Sequence, residues 1–261
     1  MRDASSPEQF SKENELLRRA VFRILNWLGR HELPVLLAFA GIAAGIWIFA
    51  LIANEVSSGN SQGFDRAVLL MMRHADLSPK GPPLFQEAAR DLTAIGGVAA
   101  LTLLTLITAG FLLLSRRGHM AMFVCASVVG GLLTSSFLKS FFHRPRPDII
   151  PLGSEVLTTS FPSGHSMLSA ITYLTLGALL ARSQERKRLK AYFMLVAGLL
   201  TVLVGWSRVY LGVHWPTDVM AGWTAGASWA ILCWLVARWL QRRRTIEAEV
   251  LNSGEDEADQ S

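Results

Sequence analysis

Six stretches of this chain contain no Lys, Arg, Asp or Glu, and they constrain its fold more than any other feature. They cover residues 33–53, 92–114, 120–138, 166–181, 191–207 and 219–237. A helix needs roughly 20 mostly apolar residues to cross the hydrocarbon core of a bilayer. None of the six shows the sustained polar face of a helix half-buried in a soluble domain. The fourth and fifth are short, so flanking residues are expected to complete them. Only 17% of the 261 residues are charged and 51% are hydrophobic, which argues against a soluble globular fold. The reading is an all-α polytopic membrane protein, a bundle of six transmembrane helices.

The first stretch follows the polar segment 1–32 and is too long for the core of a signal peptide, so it is kept in the mature protein. Basic residues mark the sides of the membrane. Arg2, Lys12, Arg18, Arg19, Arg23 and Arg30 precede the first span, and Arg116 and Arg117 join the second to the third. Arg182, Arg186, Lys187, Arg188 and Lys190 join the fourth to the fifth, and Arg238, Arg242, Arg243 and Arg244 follow the sixth. In a six-span chain these segments share one side, which the positive-inside rule makes cytoplasmic. The expected location is the cytoplasmic (inner) membrane of a cell, multi-pass, with both termini in the cytoplasm. Juxtamembrane Arg and Lys serve topology and anionic-lipid contact, so no nucleic-acid partner is read from them.

The domain layout follows: a cytoplasmic segment 1–32, a membrane domain 33–240, and a tail 241–261. The end of the tail, from Glu247, is acidic and rich in small residues, and is expected to be disordered. Cys125 and Cys233 both fall within apolar spans and read as unpaired filler. Between the first two spans, Phe64, Val68, Leu69, Met71 and Met72 recur at helical spacing beside Asp65, Arg66, Arg73 and His74. That pattern predicts a short amphipathic helix lying at the outer membrane surface. Pro79, Pro82 and Pro83 interrupt the chain before a second short helix near residues 84–90.

Charge near a membrane core costs at least ~2.5 kcal/mol per residue near the bilayer centre, so it needs a reason. Here it gathers in three blocks at the outer ends of different spans. The first is Lys139-Ser-Phe-Phe-His-Arg-Pro-Arg146-Pro147, the second Phe161-Pro162-Ser163-Gly164-His165-Ser166. The third runs from Ser207-Arg208 to His214 and Asp218. Lys139, Arg146 and Arg208 can neutralise a phosphate dianion. Ser163 reads as a helix N-cap and Gly164 allows close backbone approach, so the free N–H groups there favour an anion. Pro216 suits the first turn of the sixth helix. Asp218 can then turn back to one nitrogen of His214 and leave the other as an unprotonated attacker. A lone His or Arg at a span end is usually an interfacial anchor; three blocks on one face are not. His31, His74, His119 and His143 lack such company and are read as surface or interfacial residues.

These blocks resemble the three-part signature of the type 2 phosphatidic acid phosphatase superfamily, K-x6-R-P, P-S-G-H and S-R-x5-H-x3-D. Every specified position is filled, by Lys139, Arg146, Pro147, Pro162, Ser163, Gly164, His165, Ser207, Arg208, His214 and Asp218. Arg144 is a further base that the signature does not require. The resemblance implies a phosphatase with catalytic residues His214, His165 and Asp218. His214 would attack phosphorus and carry a phosphohistidine, with Asp218 orienting it. His165 would protonate the departing oxygen and then deprotonate the hydrolytic water. Lys139, Arg146, Ser163, Gly164 and Arg208 would bind the phosphate. No metal or other cofactor is expected: the sequence has no HExxH, no paired-Cys motif and no acidic cluster at the blocks, and fixed cations can stabilise phosphoryl transfer.

The vanadium-dependent haloperoxidases share such a pocket but are soluble, which six spans oppose. A protein that binds or transports an anionic lipid without cleaving it is the other alternative, though no inverted repeat or pair of broken helices is evident. The expected partners are the bilayer and a phosphorylated lipid. Candidates are phosphatidic acid, phosphatidylglycerophosphate, undecaprenyl diphosphate and a lipid A phosphate.

Overall fold

The computed structural model describes residues 33–148 and 159–258. The expected cytoplasmic segment 1–32 lies outside the described residues. The chain divides into two compact units, Met1–Gly41 and Ile42–Ser261. The described part of the first is the opening of one helix. Among the described residues there are eight helices: α1 (Leu33–Ser57), α2 (Gln62–Met71), α3 (Pro83–Ile95), α4 (Val98–Leu114), α5 (Gly118–Phe141), α6 (Gly164–Arg182), α7 (Lys187–Tyr210) and α8 (Pro216–Ala258). Five are long and apolar enough to cross a membrane: α1, α5, α6, α7 and the Pro216–Gln241 part of α8. Helices α3 and α4, bent against each other, make a sixth when the pair is counted as one span. The chain is an all-α membrane bundle. Flanking residues do complete the two short stretches, giving α6 19 residues and α7 24.

The bundle is built around α6, which packs against α4, α5, α7 and α8. Small residues allow this. A Cβ on Gly226 would lie 2.5 Å from the Met167 carbonyl oxygen, and one on Gly222 2.7 Å from that of Ser163. Without side chains there, α8 lies directly on the first turns of α6, the small-residue packing that replaces hydrophobic drive inside a bilayer. Several interior polar groups are answered within the bundle, where water is absent. Thr105, Ser127 and Thr201 hydroxyls donate to carbonyls four residues earlier. The indole N–H groups of Trp223 and Trp229 donate to the carbonyls of Thr201 and Ser127, at 3.1 and 2.9 Å. The outside is apolar: Leu103, Ile107, Phe111, Leu133, Phe137 and Leu195 are all exposed. Cys125 and Cys233 are unpaired, as expected.

Three features go beyond the sequence reading. The second span is not one straight helix from Leu92. It breaks at Gly96–Gly97, and the two arms meet at a bend of 50°. Adjacent glycines weaken a helix, and here Gly96 is also required by contact, because a Cβ there would lie 2.2 Å from Val204 Cγ1. The Ile95 carbonyl freed by the break accepts a hydrogen bond from the Tyr173 hydroxyl, at 2.8 Å. Second, α2 is amphipathic as expected, but its acidic residue is not solvated. Asp65 and Leu69 are fully buried, while Phe64 and Met71 are exposed. Third, the backbone of α8 is helical to Ala258.

Candidate active site

Four chain segments meet at one end of the bundle. Lys139 stands in the last turn of α5, after which residues 142–148 run without regular structure. Thr159 and Ser160 return beside them. The Ser160 N–H donates to the Arg144 carbonyl at 2.9 Å, and the Thr159 hydroxyl to the Lys139 carbonyl at 3.2 Å. Lys139 Nζ in turn donates to the Thr159 carbonyl, at 3.4 Å.

Ser163 caps α6 as its sequence predicts. Its backbone is extended and its hydroxyl oxygen accepts from the Ser166 N–H at 3.5 Å and from the Ser166 hydroxyl at 2.9 Å. The Ser163 N–H donates to the Asp218 carbonyl oxygen at 3.0 Å, which ties the starts of α6 and α8 together. The Cβ position of Gly164 is 3.6 Å from Lys139 Nζ. A bare α-carbon therefore lets the ammonium group rest over the helix start, where N–H groups and dipole favour an anion.

Arg208, in the last turn of α7, reaches back to α3, where its Nη1 donates to the Thr93 hydroxyl at 2.7 Å. Its buried Nε has no partner among the described residues. His165 is the second residue of α6, and the Cβ position of Gly97 lies 3.8 Å from its Nε2. The helix break thus borders the site.

His214 precedes α8, in a turn where Gly212 has φ +71°, a conformation that favours glycine. The ring is 1% exposed and is held from both sides. Its Nδ1 lies 3.4 Å from Asp218 Oδ2 and 3.3 Å from the Ser160 hydroxyl. Its Nε2 lies 3.3 Å from Arg146 Nη1, which also donates to the Val213 carbonyl at 2.9 Å. Burial lowers the His214 pKa to about 4, opposed by Asp218 and assisted by Arg208 and Arg146. At neutral pH the imidazole is uncharged. The Arg146 pKa is also lowered by burial, against the pull of Asp218.

The residues singled out from sequence therefore converge, with His214 Nε2 turned to a cation and Nδ1 to a carboxylate. The PAP2 superfamily profile matches residues 120–242. Over 182 residues the chain is 34% identical to phosphatidylglycerophosphatase B of Bacillus subtilis, across 68% of this chain and 85% of that one. The chain belongs to the PAP2 superfamily. A crystal structure of a transmembrane PAP2-type phosphatidylglycerolphosphate phosphatase from Bacillus subtilis superposes with a TM-score of 0.69. That match has 28% sequence identity and covers 76% of this chain and 96% of that one. An undecaprenyl-diphosphatase of Sulfolobus acidocaldarius is 44% identical over 71 residues, 27% of this chain and 29% of that protein.

The PAP2 signature accounts for part of what surrounds His214. Arg144, the base it does not require, donates to Asp218 Oδ1 at 2.7 Å and to Asp65 Oδ2 at 2.6 Å. Ser160, absent from the sequence reading, donates to Asp218 Oδ2. Two signals pointed to this network. Arg144 and Arg146 are two residues apart, which puts them on the same side of an extended strand but leaves irregular chain free to part them. Asp65 is a carboxylate set among apolar residues of a short helix, a costly position without a partner. Beside this network, Gln62, Arg66, His143, Arg146 and Trp215 help to line a cavity of about 740 Å³.

Proposed function

We propose that this PAP2 protein is a membrane phosphatase that hydrolyses a phosphomonoester or diphosphate lipid through a phosphohistidine intermediate. The observation that carries the reading is the buried, neutral His214, with Nδ1 facing Asp218 and Nε2 turned towards Arg146. Lys139, Arg146 and Arg208, the Ser163 hydroxyl and the Gly164 N–H bind the phosphoryl oxygens. The unpaired Arg208 Nε supports this, being a buried donor that an oxyanion would satisfy. His214 Nε2 attacks phosphorus, and the bond from phosphorus to the lipid oxygen breaks. His165 gives that oxygen its proton. The imidazole, now bonded to phosphorus and protonated at Nδ1, is stabilised by the Asp218 carboxylate. His165 then takes a proton from water as the water displaces His214, releasing phosphate. The chemistry uses the protein's own cations and needs no metal.

The relatives name phosphatidylglycerophosphate, undecaprenyl diphosphate and, for a Rhizobium etli protein, the lipid A 1-phosphate. We take these and phosphatidic acid as the substrate class. The cavity beside Arg146 is of a size that holds a small ligand or head group. We place the catalytic domain at residues 33–240 and the protein in the cytoplasmic membrane. Both termini are then cytoplasmic and the site opens on the opposite face, on the strength of the basic connections at residues 116–117 and 182–190.

The test is phosphate release by purified protein in detergent with excess chelator, across lipid mono- and diphosphates, with His214→Ala as control. Release that survives chelator and vanishes in the variant supports the reading. Absence of release from every lipid, in protein that is folded, favours a lipid-binding protein instead.

A further inference from the structure

Among the described residues Asp65 is the most buried charge outside the signature, and each of its carboxylate oxygens is engaged. Oδ2 accepts from Arg144 Nη2 at 2.6 Å and from the Thr217 hydroxyl at 2.7 Å; Oδ1 accepts from the Thr217 N–H at 3.0 Å. It therefore caps α8 from a different helix, at the turn that carries Asp218. Arg144 sits between two carboxylates. Nη1 donates to Asp218 Oδ1 at 2.7 Å and to the Thr217 hydroxyl at 2.8 Å, and Nη2 also reaches the Ser61 hydroxyl at 3.1 Å. Its guanidinium stacks over the Trp215 ring with 5.5 Å to the centroid. Both Asp218 oxygens are then fixed: Oδ1 by Arg144, and Oδ2 by Ser160, by the Trp215 N–H at 3.0 Å and against His214 Nδ1.

We propose that Asp65 and Arg144 are positioning residues for the histidine–aspartate pair, holding the Asp218 carboxylate in place and setting the net charge beside His214. The inference rests on the phosphohistidine reading given above. A buried carboxylate with one free oxygen could rotate away from the imidazole or take up its proton. A two-pronged guanidinium bond to Oδ1 prevents the first, and its positive charge opposes the second. Arg144 alone would overcorrect, and Asp65 restores the balance. Asp65, Arg144 and Asp218 sum to one negative charge, which is what stabilises the cationic phosphohistidine. The other charged or titratable groups facing His214 are Arg146, Arg208 of α7 and His165 of α6, and Lys139 of α5 faces His165.

The arrangement makes an unusual prediction for paired variants. Arg144→Gln leaves two buried carboxylates without their cation, whereas Asp65→Asn/Arg144→Gln returns the sum to one negative charge. Wild type, Arg144→Gln, Arg144→Lys, Asp65→Asn and the double variant would be purified in detergent. Each would be assayed for kcat, KM and the pH dependence of kcat/KM on a lipid phosphate, for inhibition by inorganic phosphate, and for Tm. We expect Arg144→Gln to lower kcat by about 10²-fold, with the inhibition constant for phosphate within threefold of wild type. Its acid limb should move to higher pH by about one unit. The double variant should regain about tenfold in kcat and bring the acid limb back. Arg144→Lys keeps the charge but spans fewer contacts, so it should hold the acid limb while losing kcat; it carries the test if Arg144→Gln does not fold. The proposal is overturned if kcat of Arg144→Gln or Arg144→Lys matches wild type. It is also overturned if the double variant is merely additive and the acid limb is unmoved while Tm falls, which is the pattern of a structural pin. Wild-type turnover and its loss in His214→Ala test the parent reading separately.

Discussion

His214 is a neutral imidazole held between a cation and a carboxylate, and that has consequences for stability as well as catalysis. Its folded pKa of about 4 lies below the ordinary histidine value of 6.5. Between those values the unfolded chain binds a proton that the folded protein does not, so this residue's contribution is intact above pH 6.5 and is lost as pH falls towards 4. Thermal unfolding in detergent should therefore show Tm falling across that window, with a shallower fall in His214→Gln. At the same scale, Asp218→Asn keeps the shape of the side chain but lets the imidazole adopt the wrong tautomer. We expect kcat to fall by at least about 10²-fold with little change in inhibition by inorganic phosphate. A variant with wild-type turnover would reduce Asp218 to a helix cap. His165→Ala should slow monoesters by about 10² to 10⁴ and diphosphates less, because an alkoxide needs its proton more than a leaving phosphate does. Equal losses, with intermediate formation limiting both, would remove the leaving-group role. The charged residues of the candidate site drew notice in the sequence because each sits where charge is expensive. Arg144 was seen but left without a task, since its partner Asp65 stands 79 positions away in a helix whose pattern reads equally well as a surface element.

Among the elements, α6 and α8 were easy to find, and the bend between α3 and α4 was not. An uninterrupted apolar run looks like one helix, and two glycines alone do not say whether a helix breaks. The deciding contact, Gly96 against Val204, comes from α7. The orientation of α2 was lost for a similar reason: helical periodicity shows that two faces differ, but a buried partner for Asp65 turns the polar one inward. Packing at the start of α6 gives a sharp test. Gly222→Ala would push a methyl group towards the Ser163 carbonyl oxygen, 2.7 Å away, and Ser166 Cβ, 2.9 Å away. We expect a loss of about 1–3 kcal/mol, seen as a lower Tm, together with reduced turnover because Ser163 is displaced. Gly198→Ala, where nothing lies within 4 Å of the added methyl, is the matched control and should raise Tm slightly. Equal effects from both would mean that α8 does not lie against the first turn of α6.

For the whole molecule, the hydrophobic spans specified a membrane bundle, and only the second span needed redrawing. The orientation is open to direct measurement in a background lacking Cys125 and Cys233. A cysteine placed at Ser78 should react with an impermeant maleimide on intact cells or spheroplasts. One at Ser183 should react only after the membrane is opened; the reverse pattern would put the site in the cytoplasm. Legibility ended where distant segments close around the site, and this has a practical corollary. The region shared with the family profile begins at residue 120, yet Thr93, which holds Arg208, and Asp65, which holds Arg144, both precede it. The recognisable half is therefore not a detachable cassette. A chimera that grafts it onto the leading helices of another lipid phosphatase would inherit every signature residue and still be miswired, unless an acid at position 65 and a hydroxyl at position 93 travel with it.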